Sequence, residues 1–262
     1  MARETTCPAL APRLWIYTNF DCNLTCSYCV ARSGPRVERR GLGMAAHRRL
    51  VDEAVDCGLT EAFLTGGEPF LLPDLAERIC YTASRLHTTV LTNAMLFQGR
   101  RLDTLRSLQG LDLRFQVSLD GADAATHDAY RGAGSWQKSL DGIATLQSLG
   151  FPVVIGATET PANAGRLDDL RAFVAGLCIP PERLIIRPLA RRGFSKEGME
   201  VGPADLEPEV TVSVDGVYWH PLACEDDMLV THRLFPLSAA LARLHELYHE
   251  VLAAGAMPRQ FR

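Results

Sequence analysis

The sequence predicts an α/β protein: a partial (β/α)6 TIM barrel with a short C-terminal β-hairpin plus helix extension. Three observations lead there. Strand-like and helix-like runs alternate about six times between residues 13 and 193, the pattern of parallel strands joined by right-handed helical crossovers. Glycines, cysteines and charged residues gather just past the ends of these strand-like runs, the face on which such folds carry their sites. After Gly193 the alternation stops and shorter, turn-rich segments follow. Six units fall short of the eight that close a barrel, so one side stays open. The implied organisation is an N-terminal arm (1–12), a core (13–193) and an extension (194–262).

Taken in order, residues 13–19 form an apolar run that reads as the first strand. A cysteine-rich loop and a Gly/Pro/Arg-rich stretch (33–43) separate it from a helix that opens at Gly43 and stops at Gly58. Residues 59–65 are a second strand, 73–86 a helix, 88–92 a third strand and 100–109 a helix. The fourth strand covers 112–119, with a helix over 136–149 stopped by Gly150. Then come a fifth strand (152–158), a helix (163–177) and a sixth strand (183–189). In the extension, residues 209–214 and 217–219 flank Asp215-Gly216, a strong hairpin-turn signal. Residues 236–254 carry Leu237, Leu241, Leu244, Tyr248, Val251 and Leu252 on one helical face.

The chemistry starts with Cys22, Cys26 and Cys29, spaced Cys-x-x-x-Cys-x-x-Cys on the loop after the first strand. Thiolates this close can converge on one metal centre. A four-iron cluster normally takes four cysteines, so three leave one iron open. Structural zinc is the competing reading, but it wants four ligands, and no further Cys or His lies within ten residues. Disulfides compete too, yet three cysteines within eight residues pair badly.

With Tyr28 just before the last cysteine, this spacing resembles the signature of the radical S-adenosylmethionine (SAM) superfamily. Further motifs follow in register: Gly66-Gly67-Glu68-Pro69, Thr92-Asn93-Ala94, Ser118-Leu119-Asp120 and His127-Asp128-Ala129-Tyr130-Arg131-Gly132. The last resembles the peptide-modifying and sulfatase-maturing branch. The family usually has Gly where this chain has Ala94. The resemblance implies that Cys22, Cys26 and Cys29 hold a [4Fe-4S] cluster whose open iron chelates SAM. It implies SAM contacts from Tyr28, Gly66, Gly67, Glu68, Asn93, Ser118, Asp120 and Arg131. The resemblance implies that Glu68 meets the SAM ammonium, or else it caps its turn; Asn93 either meets cofactor or caps a helix. His127 reads as structural. The implied chemistry is one-electron cleavage of SAM to a 5'-deoxyadenosyl radical, which abstracts a hydrogen atom, with an electron donor of flavodoxin or ferredoxin type.

The same branch often carries auxiliary clusters in its tail. Here residues 194–262 hold only Cys224, so the expectation is a tail without one. That short tail favours a small-molecule metabolite as substrate, by dehydrogenation, epimerisation or rearrangement, leaving oxidoreductase, isomerase and lyase types open. The alternative substrate is a ribosomally made peptide; a non-catalytic metal-binding module is the reading of another class. Cys224 is the tentative catalytic residue, a hydrogen donor reaching over the mouth, and His220 a candidate substrate contact. Cys57, Cys80 and Cys178 read as buried free thiols, and Cys7 lies in the arm. A net charge of −4 over 262 residues offers no basic footprint for nucleic acid. No apolar run approaches the roughly 20 residues that span a bilayer. The start lacks an apolar targeting segment. A cytoplasmic protein without membrane or nucleic-acid partners is expected.

Overall fold

The computed structural model describes residues 10–222 and 224–261; most of the expected arm, with Cys7, lies outside them. Six strands run parallel in chain order: β1 (Arg13–Tyr17), β2 (Glu61–Thr65), β3 (His87–Thr92), β4 (Leu113–Ser118), β5 (Val153–Glu159) and β6 (Leu184–Pro188), each paired with its successor. The crossovers are α1 (Met44–Asp56), α2 (Leu75–Ala83), α3 (Arg100–Ser107), the pair α4 (Ala124–Arg131) and α5 (Ser135–Ser148), and α6 (Leu167–Gly176).

Side-chain alternation divides the sheet's two faces. Leu14, Ile16, Leu64, Val90, Phe115 and Ile155 are fully buried in the helix-covered core. Their neighbours Trp15, Tyr17, Phe63, Leu91 and Gln116 line a cavity on the other face. Helix α1 shows the matching logic. His47, Leu50, Val51 and Ala54 are its buried residues, spaced by three and four along one stripe.

The tail carries the expected hairpin and closing helix, and the hairpin extends the main sheet. Strand β7 (Thr211–Ser213) joins the sheet parallel to β1, with Trp15 opposite Thr211. Strands β8 (Gly216–Tyr218) and β9 (Leu229–Thr231) follow antiparallel, giving nine strands in the order β6-β5-β4-β3-β2-β1-β7-β8-β9. The hairpin turn is Val214-Asp215, and Gly216 opens β8 opposite Ser213. The glycine serves the third strand instead: a Cβ there would stand 2.6 Å from the Thr231 carbonyl oxygen. Helix α7 (Leu237–Ala253) packs back on α1, where the Leu237 N–H donates to Glu53 Oε2 at 2.5 Å. Among the described residues no helix is long and apolar enough to cross a membrane. Cys80 and Cys178 are exposed and Cys57 is half-buried, against the expectation of buried thiols.

Candidate active site

All three cysteines of the triplet sit on the loop between β1 and α1. They line a cavity of about 400 Å³ that runs along the inner face of the sheet to the C-terminal ends of the strands, within the size range of small-ligand sites. The loop closes on itself through a bridge between Asp21 and Gly34 and a Cys22 N–H bond to the Gly34 carbonyl at 3.3 Å. Two sulfurs already accept backbone N–H groups: Cys22 Sγ from Leu24 and Cys29 Sγ from Ser33, both at 3.4 Å. Burial pushes the Cys22 thiol up to about 12 and raises Cys26, which Arg131 partly opposes. A coordinating cation deprotonates such thiols outright, and the N–H donors then face sulfur anions. A lone tetrahedral ion draws its ligands to about 2.3 Å; a cluster spreads its thiolates over separate irons. The donor set suits a cluster.

Gly66 and Gly67 press against this loop. A Cβ at Gly66 would stand 2.4 Å from the Asn19 carbonyl oxygen, and one at Gly67 2.1 Å from that of Asp21. The Gly67 N–H donates to Asn19 O (2.8 Å) and the Glu68 N–H to Asp21 O (2.9 Å). Asn19 completes the contact by donating Nδ2 to Asp21 O at 2.9 Å and Glu68 O at 3.1 Å. Asn19 went unread in the sequence, although a buried Thr-Asn pair at the end of an apolar run was a usable signal.

Glu68 resolves as the turn cap. Its Oε1 accepts from the Phe70 N–H (3.0 Å) and the Thr92 hydroxyl (2.8 Å), and Oε2 accepts from the Asn93 N–H (2.8 Å). It is buried behind the cavity lining. Burial raises its carboxyl to about 7 against those hydrogen bonds. Asn93 lines the cavity; its Nδ2 donates to Asn23 Oδ1 at 2.8 Å and its Oδ1 accepts the Met95 N–H at 3.0 Å. Ala94 adopts φ +59, the left-handed conformation that glycine takes without cost.

Asp120 is the hub of the opposite rim. Its Oδ1 accepts the Thr158 N–H at 2.8 Å; its Oδ2 accepts the Tyr28 hydroxyl and, at 2.7 Å, Arg131 Nε. It is 1% exposed and sits behind the cavity wall, where it fixes Tyr28 and Arg131. Arg131, Tyr28 and Ser118 do line the cavity. The Arg131 guanidinium lies 5.4 Å over the Tyr28 ring. Burial opposes its charge, but Asp120 holds its pKa well above the usual arginine value. Asn163, a second unread residue, donates Nδ2 to the Asp120 carbonyl at 2.6 Å. The helix α4 that presents Arg131 was also unread, though its N-cap Asp123, accepting the Thr126 N–H at 2.9 Å, was in view. His127 is structural: the Asp120 N–H donates to its Nδ1 at 3.1 Å, and burial lowers its pKa to about 4.

Cys224 does not reach the cavity. Its thiol lies among Ser213, Asp215 and Arg40, and burial pushes its pKa far up. His220 does line the cavity, as a neutral ring whose Nδ1 accepts the Leu222 N–H at 3.1 Å. Burial, with Arg187 adding, lowers its pKa to about 3.

Comparison with known proteins fits this geometry. The model of the Radical SAM superfamily matches residues 16–162. The AdoMet-dependent heme synthase of Methanosarcina barkeri is 33% identical over 201 residues, 75% of this chain and 56% of that protein. Mycofactocin maturase MftC of Mycobacterium tuberculosis is 29% identical over 234 residues, 86% of this chain and 57% of that protein. The chain thus spans a little over half the length of these curated relatives. In fold it is similar to Streptococcus suis SuiB bound to its precursor peptide SuiA, with TM-score 0.63 and 21% identity, covering 75% of this chain and 44% of that one. From the thiol triplet to the match across the parallel core, the chain belongs to the radical SAM superfamily, enzymes that use a [4Fe-4S] cluster and S-adenosylmethionine.

Proposed function

We propose that this enzyme modifies a ribosomally made peptide. The observation that carries the reading is the mycofactocin-maturase match, which runs over 86% of the chain and so extends past the barrel into the tail. It displaces the small-molecule metabolite favoured by the short tail, since the relatives include peptide maturases. Cys22, Cys26 and Cys29 would hold the cluster, which when bound supplies the electron that splits SAM. Tyr28, Gly66, Gly67, Asn93, Ser118 and Arg131, which line the cavity, would contact SAM, with Glu68 and Asp120 behind them.

The chain's own work is orientation and exclusion. Arg131, fixed by Asp120, offers its remaining guanidinium N–H groups as a forked donor for a carboxylate. Tyr28, with its hydroxyl tied to Asp120, gives a fixed aromatic wall. Deeper in the cavity Trp15 is locked by its Nε1 bond to Glu209 at 2.6 Å and stacks on Phe63 at 4.2 Å. Tyr17 is locked by its bond to the Pro221 carbonyl at 2.6 Å. These rigid apolar walls keep water from the reacting C–H. A flavodoxin- or ferredoxin-type protein would deliver the electron.

A second reading has its own support: the heme synthase relative favours a heme precursor as substrate. The test is anaerobic turnover with dithionite, following 5'-deoxyadenosine and substrate mass together. Stoichiometric mass change on a precursor peptide supports the proposal. Coupled turnover of a heme precursor, with peptides inert, overturns it.

A further inference from the structure

The tail reaches the thiol loop through one carboxylate. Glu225 Oε1 accepts from Arg32 Nη2 at 2.7 Å and from the Gly193 N–H at 3.3 Å; Oε2 accepts from Arg192 Nη1 at 3.1 Å. Three segments meet at that side chain: the tail, the loop after β6, and the end of the thiol loop. The loop after β6 lies flush on the last cysteine. The Phe194 N–H donates to the Cys29 carbonyl at 3.1 Å, as does the Arg32 N–H at 3.1 Å. A Cβ at Gly193, which has φ +61, would stand 2.2 Å from that carbonyl oxygen. Arg32 itself sits at φ +50, a conformation that a non-glycine residue keeps only when its surroundings enforce it. Its Nε also donates to the Gly193 carbonyl at 3.2 Å. Arg192 is anchored in turn: Nη2 meets Asp227 Oδ2 at 2.6 Å and Nε donates to the Val201 carbonyl at 3.0 Å. Its side chain is 12% exposed and that of Glu225 22%, so solvent screens this pair less than an open surface pair.

We propose that Glu225 is a positioning residue for the iron–sulfur site, clamping the Cys29 end of the thiol loop from the tail through Arg32, Gly193 and Arg192. Mutating groups that orient metal ligands from behind typically costs about 10- to 100-fold in metal affinity or activity. The clamp touches no substrate and holds whichever substrate the enzyme takes. It also gives the tail, which carries no cluster thiolate set of its own among the described residues, a defined part in the chemistry.

The experiment uses anaerobically reconstituted holoenzyme carrying Glu225→Ala, Glu225→Gln and, as a control, the neighbouring Asp226→Asn. Iron release to a chelator is followed, together with the electron-paramagnetic-resonance spectrum of the reduced cluster and amide exchange over residues 29–34 and 193–195. Glu225→Ala is expected to release iron about 10- to 100-fold faster, with a shifted or broadened spectrum and faster exchange in both loops. Glu225→Gln keeps one carbonyl acceptor and the shape, and is expected to fall between Ala and wild type. Asp226→Asn should match wild type. Wild-type iron release and spectrum in both Glu225 variants overturn the proposal. So does faster release with unchanged exchange in the two loops, because the loss would then arise elsewhere.

Discussion

The two rims of the cavity are built by different means. The near rim, the thiol loop on Gly66-Gly67, is a backbone construction: carbonyls of Asn19 and Asp21 stand where any Cβ on those glycines would go. The far rim is a side-chain construction. Asp120 gathers Tyr28, Arg131 and the Thr158 N–H, with 1% of its own surface exposed. A rim made of backbone tolerates no added atom but needs no charge. A rim made of one buried ion pair tolerates shape changes but fails if either charge is removed.

The largest expected effect falls on the near rim. Replacing Cys22, Cys26 or Cys29 by Ala removes SAM cleavage altogether and leaves the protein without a stable cluster, read by iron analysis and 5'-deoxyadenosine formation. Next comes Asp120→Ala, which strands the Arg131 cation in a buried site. It should cost about 3–5 kcal/mol in urea unfolding of the apoprotein, and also loosen SAM binding. Gly67→Ala should cost less, about 1–3 kcal/mol as overpacking. Yet it should impair cluster incorporation more than its stability loss explains, because the displaced atom is the Asp21 carbonyl next to Cys22. Equal stability losses in the two rims would erase the contrast.

Acidity sharpens the same contrast. Burial lowers His127 to about 4, so the folded far rim keeps it neutral while the unfolded chain protonates it below about 6.5. Its contribution is full above pH 6.5 and lost as pH falls towards 4. Glu68 in the near rim has the opposite sign. Its carboxyl is raised to about 7, so its contribution is full below about 4.5 and lost as pH rises through 7. His127→Asn, which keeps an acceptor for the Asp120 N–H, should flatten the acid limb of apoprotein stability by up to about 1.4 kcal/mol per pH unit. An unchanged acid limb would place that titration elsewhere. The smallest effect is at Ala94. Relief of left-handed strain, about 1–2 kcal/mol, is offset by a lost buried methyl, about 0.8, and by a freer unfolded chain, about 0.4–1. Ala94→Gly should therefore unfold within about 1 kcal/mol of wild type.

What the sequence shows follows the same division. The six parallel strands were legible because apolar runs and glycine stops recur, and the thiol triplet and Gly-Gly pair because their spacing is local. Asn19, Asn163 and the commitment of Asp120 were not, since each takes its meaning from partners brought close only by the sheet. Glu68 read as a ligand or a cap, and its three cap donors come together only in the fold. The hairpin of β7 and β8 was legible from Asp215-Gly216, but its pairing with β1 and the third strand were not. β9 is three residues long, too short for period-two alternation to register. Gly216 announced a turn but serves a neighbouring strand.

Iron analysis and electron paramagnetic resonance of the anaerobically reconstituted, reduced protein, with and without SAM, test the central claim most directly. Three thiolates gripping a four-iron cluster predict about four irons per chain and a reduced-cluster signal that changes when SAM is added. A single bound zinc or iron ion, or a cluster signal indifferent to SAM, would contradict it.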